Sequence, residues 1–94
     1  MSTLRLPSTL TNDQAQACLQ QLQAALAQLP GGSVAVVDAS ELAVFDSAAL
    51  AVLLECRRAA LANGKILQVQ GLPAAAASLA RLYGVDELLQ PAAA

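Results

Sequence analysis

Residues 34–37 read Val-Ala-Val-Val, an unbroken apolar run flanked on both sides by segments with helical hydrophobic spacing. A short continuous β-branched run is the pattern of an interior strand, kept from water on both faces. A strand set between helices joins its neighbours through crossovers, so the strands should run parallel with right-handed connections. The chain has 94 residues, enough for one domain. A chain this short buries only roughly 60–65% of its unfolded surface, so the core must be thin. The expectation is a small α/β domain: a mostly parallel sheet of three to four strands with three to four helices.

The order β-α-β-α-β-α can be read segment by segment. Thr3–Leu6 alternates polar and apolar residues and is limited by Pro7, as a short strand would be. Thr11 with Gln14 three positions on matches a capping box. From there Ala15, Cys18, Leu19, Leu22, Ala25, Leu26 and Leu29 form one helical stripe, stopped by Pro30-Gly31-Gly32. Ser33–Asp38 is the central strand. A second helix should run from about Ser47 to Ala62, with Leu50, Leu53, Leu54 and Leu61 as its stripe and Gly64 in the left-handed position after its end. Lys65–Gln70 is the third strand, with Ile66, Leu67 and Val69 as its apolar residues. Pro73 opens a third helix whose stripe is Ala75, Ala76, Leu79, Leu82 and Tyr83. Val85–Leu89 fits either a helical turn or a strand. Residues 3–89 are expected to form the core, and 90–94 a frayed tail.

Composition excludes several functions. With 56% hydrophobic and only 13% charged residues the chain is too apolar for intrinsic disorder. Five Lys plus Arg against seven Asp plus Glu, a net charge of −2, provide no basic stripe for nucleic acid. There is no His, and Cys18 and Cys56 stand far apart in sequence, so neither a zinc site nor His-based catalysis is expected. The two cysteines read as free thiols, buried or half-buried, of a reducing compartment, with a disulfide as the minor alternative. The longest uncharged run, Gln14–Val37, holds six Gln, Pro30 and two Gly, which a bilayer core would reject. No secretory signal pattern is visible, and a cytoplasmic protein is expected. Gly31-Gly32 lacks the lysine and spacing of a nucleotide-binding loop, so no cofactor is expected.

In open parallel sheets, sites gather at the carboxyl ends of the strands. Here that is the segment Asp38–Asp46, with three acids and Ser40, followed by Ser47. Asp46 is a candidate N-cap for the second helix, which leaves Ser47 at an exposed tip. A simple cap accounts for both residues by itself. Asp38 and Glu41 as a catalytic carboxylate pair have no activating base beside them. After Ser47 the chain is apolar without a break to Leu54, more than one stripe requires. Ala48, Ala51 and Val52 are therefore either more deeply buried or offered to a partner. Tyr83 reads as a packed ring with a wet hydroxyl.

These residues together resemble the STAS domain, the fold of bacterial anti-sigma-factor antagonists. The likeness lies in the strand ending Asp38-Ala39-Ser40, in Asp46-Ser47-Ala48-Ala49-Leu50-Ala51-Val52-Leu53-Leu54, and in the run Gly71–Leu89. Leu82-Tyr83-Gly84-Val85 is similar to the small cytoplasmic STAS subunit of the Mla phospholipid transporter. The resemblance implies a non-enzymatic docking subunit, bound by the transporter's ATPase through Asp46, Ser47, Ala48, Ala51 and Val52 and held at the inner-membrane complex by that partner. The alternative it implies is an anti-sigma-factor antagonist in which a partner kinase phosphorylates Ser47. Ala48-Ala49 departs from the Asp-Ser-(Ser/Thr)-Gly-Leu pattern of that second branch; Ala in place of the Gly stiffens the helix start and adds a methyl where a kinase must approach. Thr3–Leu6 resembles the family's second strand. That implies a missing first strand, whose absence would leave a sheet edge open to dimerisation.

Overall fold

The computed structural model describes residues 2–89; the expected tail at 90–94 lies outside them. Three parallel strands, β1 (Ser2–Arg5), β3 (Val34–Asp38) and β5 (Ile66–Gln70), form a sheet in the order β1-β3-β5. The helices are α1 (Asn12–Ala27), α2 (Ser47–Ala62) and α3 (Ala74–Leu82), followed by a 3-10 turn at Asp86–Leu89. The α/β reading, the central position of β3 and the span of α2 all hold. Two short strands were not expected. β2 (Thr9–Leu10) and β4 (Val44–Phe45) pair in parallel apart from the main sheet.

Local chemistry sets the helix ends. The Gln14 side chain accepts from the Thr11 N–H at 3.0 Å and from its hydroxyl at 2.7 Å, which stabilises the start of α1. Gly64, with φ +71°, follows α2 in the left-handed region. Gly71, with φ +72°, is constrained twice. A Cβ there would also lie 3.0 Å from the Ser40 Cβ and 3.3 Å from Asp38 Oδ1.

One contiguous core joins α1 (Cys18, Leu22, Leu26), α2 (Leu50, Leu53, Cys56), α3 (Ala76, Ala80) and the helix-facing sheet residues Ala35, Val37 and Val69. Strand alternation sends Thr3, Val34, Val36, Ile66 and Gln68 to the opposite face. Val36 is buried in the middle of that face, but Ile66 is 50% exposed and Thr3 is exposed. The helices thus pack on one face only, and the molecule is 20 Å thick in its shortest dimension. Burial of the β3 run on both faces holds in its middle, where Val36 is buried on the second face, while Val34 is half-buried there.

This one-sidedness corrects several expected faces. Ile66 is turned outward, whereas Lys65 just before it is buried and donates from Nζ to the Leu26 carbonyl at the end of α1. The ammonium meets the negative end of a helix there, while its stem fills apolar space. On α2 the stripe shifts toward Ala49, Val52 and Ala60, leaving Leu61 50% exposed. On α3 the buried residues are Ala76 and Ala80; Ala75, Leu82 and Tyr83 face out.

Candidate functional site

The two short strands explain how the site is placed. β2 runs directly into the start of α1 and β4 into the start of α2, with Thr9 opposite Val44 and Leu10 opposite Phe45. Continuing that register by one step sets Thr11 against Asp46, so the two helices begin side by side. The Ser8 carbonyl closes the ladder by accepting from the Ala43 and Val44 N–H groups at 2.8 and 2.9 Å.

Asp46 links these beginnings. Its Oδ1 accepts from the Ala48 N–H at 2.8 Å, capping its own helix. Its Oδ2 accepts from the Asn12 N–H of α1 at 3.2 Å. One carboxylate therefore satisfies free amides of two helix N-termini, where a negative charge is also favoured by both dipoles.

Between the starts of α1 and α2 lies an open groove of about 410 Å³, lined by Asp46, Ser47, Ala48, Ala51 and Val52 from the α2 side and by Asn12, Gln16 and Leu19 from α1. The five residues expected from sequence to meet a partner thus share one groove. Asp46, Ser47 and Ala51 are exposed and Ala48 is half-buried. Val52 needs correction as a presented side chain. It is only 3% exposed, because α1 packs over it, and it serves as groove floor. The α1 contribution was not legible in the sequence, since Gln16 shows no signal beyond a polar helix face.

A second groove, of about 300 Å³, lies on the other side of Ser47 and Ala51 and is walled by Leu50, Leu54, Tyr83 and Val85. Tyr83 is 58% exposed here, which corrects the reading of a packed ring. Its recruitment follows from the short 3-10 ending, which leaves Tyr83 and Val85 beside α2.

The remaining acids are engaged apart from this site. Asp38 Oδ1 accepts from the Ser40 N–H at 2.9 Å. The Ser40 hydroxyl and then its N–H hold the Asp38 carboxyl below its ordinary range; burial opposes them, and Arg5 adds a lesser push in their direction. Glu41 pairs with Arg5 at 3.3 Å. Cys18 and Cys56 are buried free thiols. Burial pushes the Cys18 thiol up; burial, then the neighbouring Cys18 and Glu55, push the Cys56 thiol up to about 12. Among the described residues no group of three or more His, Cys, Asp or Glu could hold a metal, and no helix is long and apolar enough to cross a membrane.

No curated protein sequence matches the chain. Among solved structures, an anti-sigma-factor antagonist (STAS) domain protein from Planctomyces limnophilus is similar in fold, with a TM-score of 0.80 at 12% identity. The match covers 95% of this chain and 79% of that one. STAS domains are protein-interaction modules, which suits an open groove beside an exposed helix start. The family model described as "Mlab, STAS domain" matches residues 1–90, and the chain therefore belongs to that STAS-domain family.

Proposed function

We propose that this chain is a docking subunit of an Mla-like phospholipid ABC transporter, bound on the cytoplasmic side by the transporter's ATPase and supporting its assembly and activity. The observation that carries the reading is the clustering of Asp46, Ser47, Ala48 and Ala51 at one reachable groove, with Val52 beneath them. Small side chains at a helix start let another backbone come close, and the family description points to the transporter branch. The groove's two carboxylates are engaged, Asp46 with the amides of Asn12 and Ala48 and Glu55 with Arg58, so binding is the activity the groove fits.

The exposure of Ser47 favours one competing reading, an anti-sigma-factor antagonist phosphorylated at that hydroxyl. A phosphate there would sit beside the Asp46 carboxylate and add roughly −2 charge to the groove. Two experiments separate the readings. Affinity purification of the tagged chain from native membranes should recover an ABC ATPase; its absence counts against the transporter reading. Incubation with ATP and cognate anti-sigma kinases should leave the mass unchanged, and a gain of one phosphate lost on Ser47→Ala would favour the competitor.

A further inference from the structure

On the flank of α1 away from the docking groove, the sheet ends in a free edge. In the order β1-β3-β5, β1 has a strand on one side only among the described residues. The Leu6 N–H donates to the Asp38 carbonyl of β3 at 3.0 Å. Backbone groups alternate sides along a strand, so those of Leu4 also face β3, while the N–H and C=O of Thr3 and of Arg5 face outward. These outward groups have no backbone partner among the described residues. The next outward position is Pro7, which has no N–H to give, so a ladder on this edge closes after Arg5.

A groove of about 380 Å³ lies beside the edge, between Arg5 and Leu6 on one side and Ala17, Cys18 and Gln21 of α1 on the other. Helical spacing continues the same flank through Ala24 and Gln28, both exposed. Exposed helix faces ordinarily carry charges. Here α1 has one charged residue in 16, Asp13, and it does not line the groove. The one charge that does is Arg5, already paired with Glu41. An anionic membrane or a nucleic acid finds no free cation on this side. A second copy meets no like charge across α1.

We infer that two copies of this chain join through this edge, β1 pairing antiparallel with β1 of the second copy about a two-fold axis at Leu4. Thr3 of each copy then exchanges both hydrogen bonds with Arg5 of the other, which satisfies every outward group. Leu4 meets its own equivalent on the helix-facing side, where it already packs against the core, and Arg5 stands opposite a threonine. The same axis brings the two uncharged α1 flanks together on one side of a continuous six-stranded sheet. A foreign strand would satisfy the backbone alone; a second copy also supplies the matching helix flank, with one symmetry operation. The contact is modest. A strip about 24 Å long, the length of α1, and 20 Å deep, the thickness of the molecule, gives roughly 500 Å² per copy. The total of about 1,000 Å² is the lower bound for a specific interface, so the dimer should be of micromolar strength.

Sedimentation velocity of the full chain, from about 1 to 300 µM, should show the mass rising from one chain to two. Thr3→Pro removes an outward donor, a change that an edge strand tolerates, and Gln21→Glu sets like charges near the axis. Each should raise the dissociation constant about tenfold or more, with circular dichroism confirming the fold. Should Thr3→Pro unfold the chain, Gln21→Glu decides. Gln20→Glu, on the solvent side of α1, should change nothing. Hydrogen exchange reads the register directly. The Thr3 and Arg5 amides should exchange about tenfold more slowly at high than at low protein concentration, whereas Leu4, bonded to β3 in both states, should not change. A single chain mass at the highest concentration, a dimer indifferent to both substitutions, or concentration-dependent protection at Leu67 and Val69 of the β5 edge in place of Thr3 and Arg5 would each overturn the inference. The docking groove lies on the opposite flank of α1, so these outcomes are independent of the transporter reading.

Discussion

Replacing Asp46 by Ala should destabilise the domain by about 2–3 kcal/mol. The carboxylate makes two bonds in different helices, to Ala48 N at 2.8 Å and to Asn12 N at 3.2 Å. Loss of an N-cap costs about 1 kcal/mol, within a range of roughly 0.5–2. The bond to α1 adds about 0.5–1.5, held toward the low end because water can reach the freed Asn12 amide. Loss of a negative charge near two helix N-termini adds about 0.3–1. A domain of this size has roughly 5–14 kcal/mol in total, so the change is large enough to measure easily by urea unfolding followed by circular dichroism. Asp46→Asn keeps one acceptor oxygen but neither the charge nor the second acceptor, and should lose about half as much. Amide exchange makes the test specific: Asp46→Ala should speed exchange at Asn12 as well as at Ala48. A stability within about 0.5 kcal/mol of the natural chain, or an unchanged Asn12 amide, would refute the idea that one side chain ties the two helix starts together.

Further outcomes follow from the same geometry. Ser47→Glu should weaken partner binding, since it adds an anion beside Asp46 in a small, partly apolar interface; an unchanged affinity in a titration against the ATPase would move the contact elsewhere. Leu53, fully buried in the core, should cost about 2–5 kcal/mol when cut to Ala, read from the same urea curves. Gly71→Ala should cost about 1–3 kcal/mol, because φ is +72° and Ser40 leaves no room for a methyl; a neutral result would mean that the loop can shift. The Cys56 thiol, raised to about 12, is favoured in its protonated form by folding. Its contribution should be complete below the ordinary thiol pKa and should fade as pH climbs from about 9 toward 12, so stability should fall with rising pH over that window and the fall should lessen in Cys56→Ala. At neutral pH both thiols should resist alkylation until the chain unfolds.

The arrangement gives each part of the small domain a separate task. The thin one-sided core supports the helices, and the paired short strands align two of their starts. Asp46 is consumed in that alignment, which leaves the neighbouring Ser47 hydroxyl projecting beside the groove. A docking role fits a surface whose acid is structural and whose exposed residues are small. The same economy explains why the carboxylates near the strand ends do not form an active pair: Asp38 holds the Ser40 turn and Glu41 meets Arg5 at the surface.

Features carried by local chemistry were legible in the chain alone. The β-branched run of β3, the Thr11–Gln14 box, the Asp46 cap and the span Ser47–Ala62 each depend on residues within one turn or one strand of each other. The candidate residues Asp46, Ser47, Ala48 and Ala51 were found for the same reason, being consecutive or one turn apart. What required the folded molecule was everything set by which side of an element meets another. Ile66 faces out and Lys65 in because the helices cover a single face of the sheet. Leu61, Leu82 and Tyr83 are exposed because the apolar stripes they belong to are wider than the surface available to bury them. The two-residue strands β2 and β4 leave almost no periodic signal, since their pairing joins segments more than thirty residues apart. Yet that pairing brings Asn12 to Asp46 and builds the groove, because a long-range register is decided by packing of the whole chain and not by the preference of any short stretch.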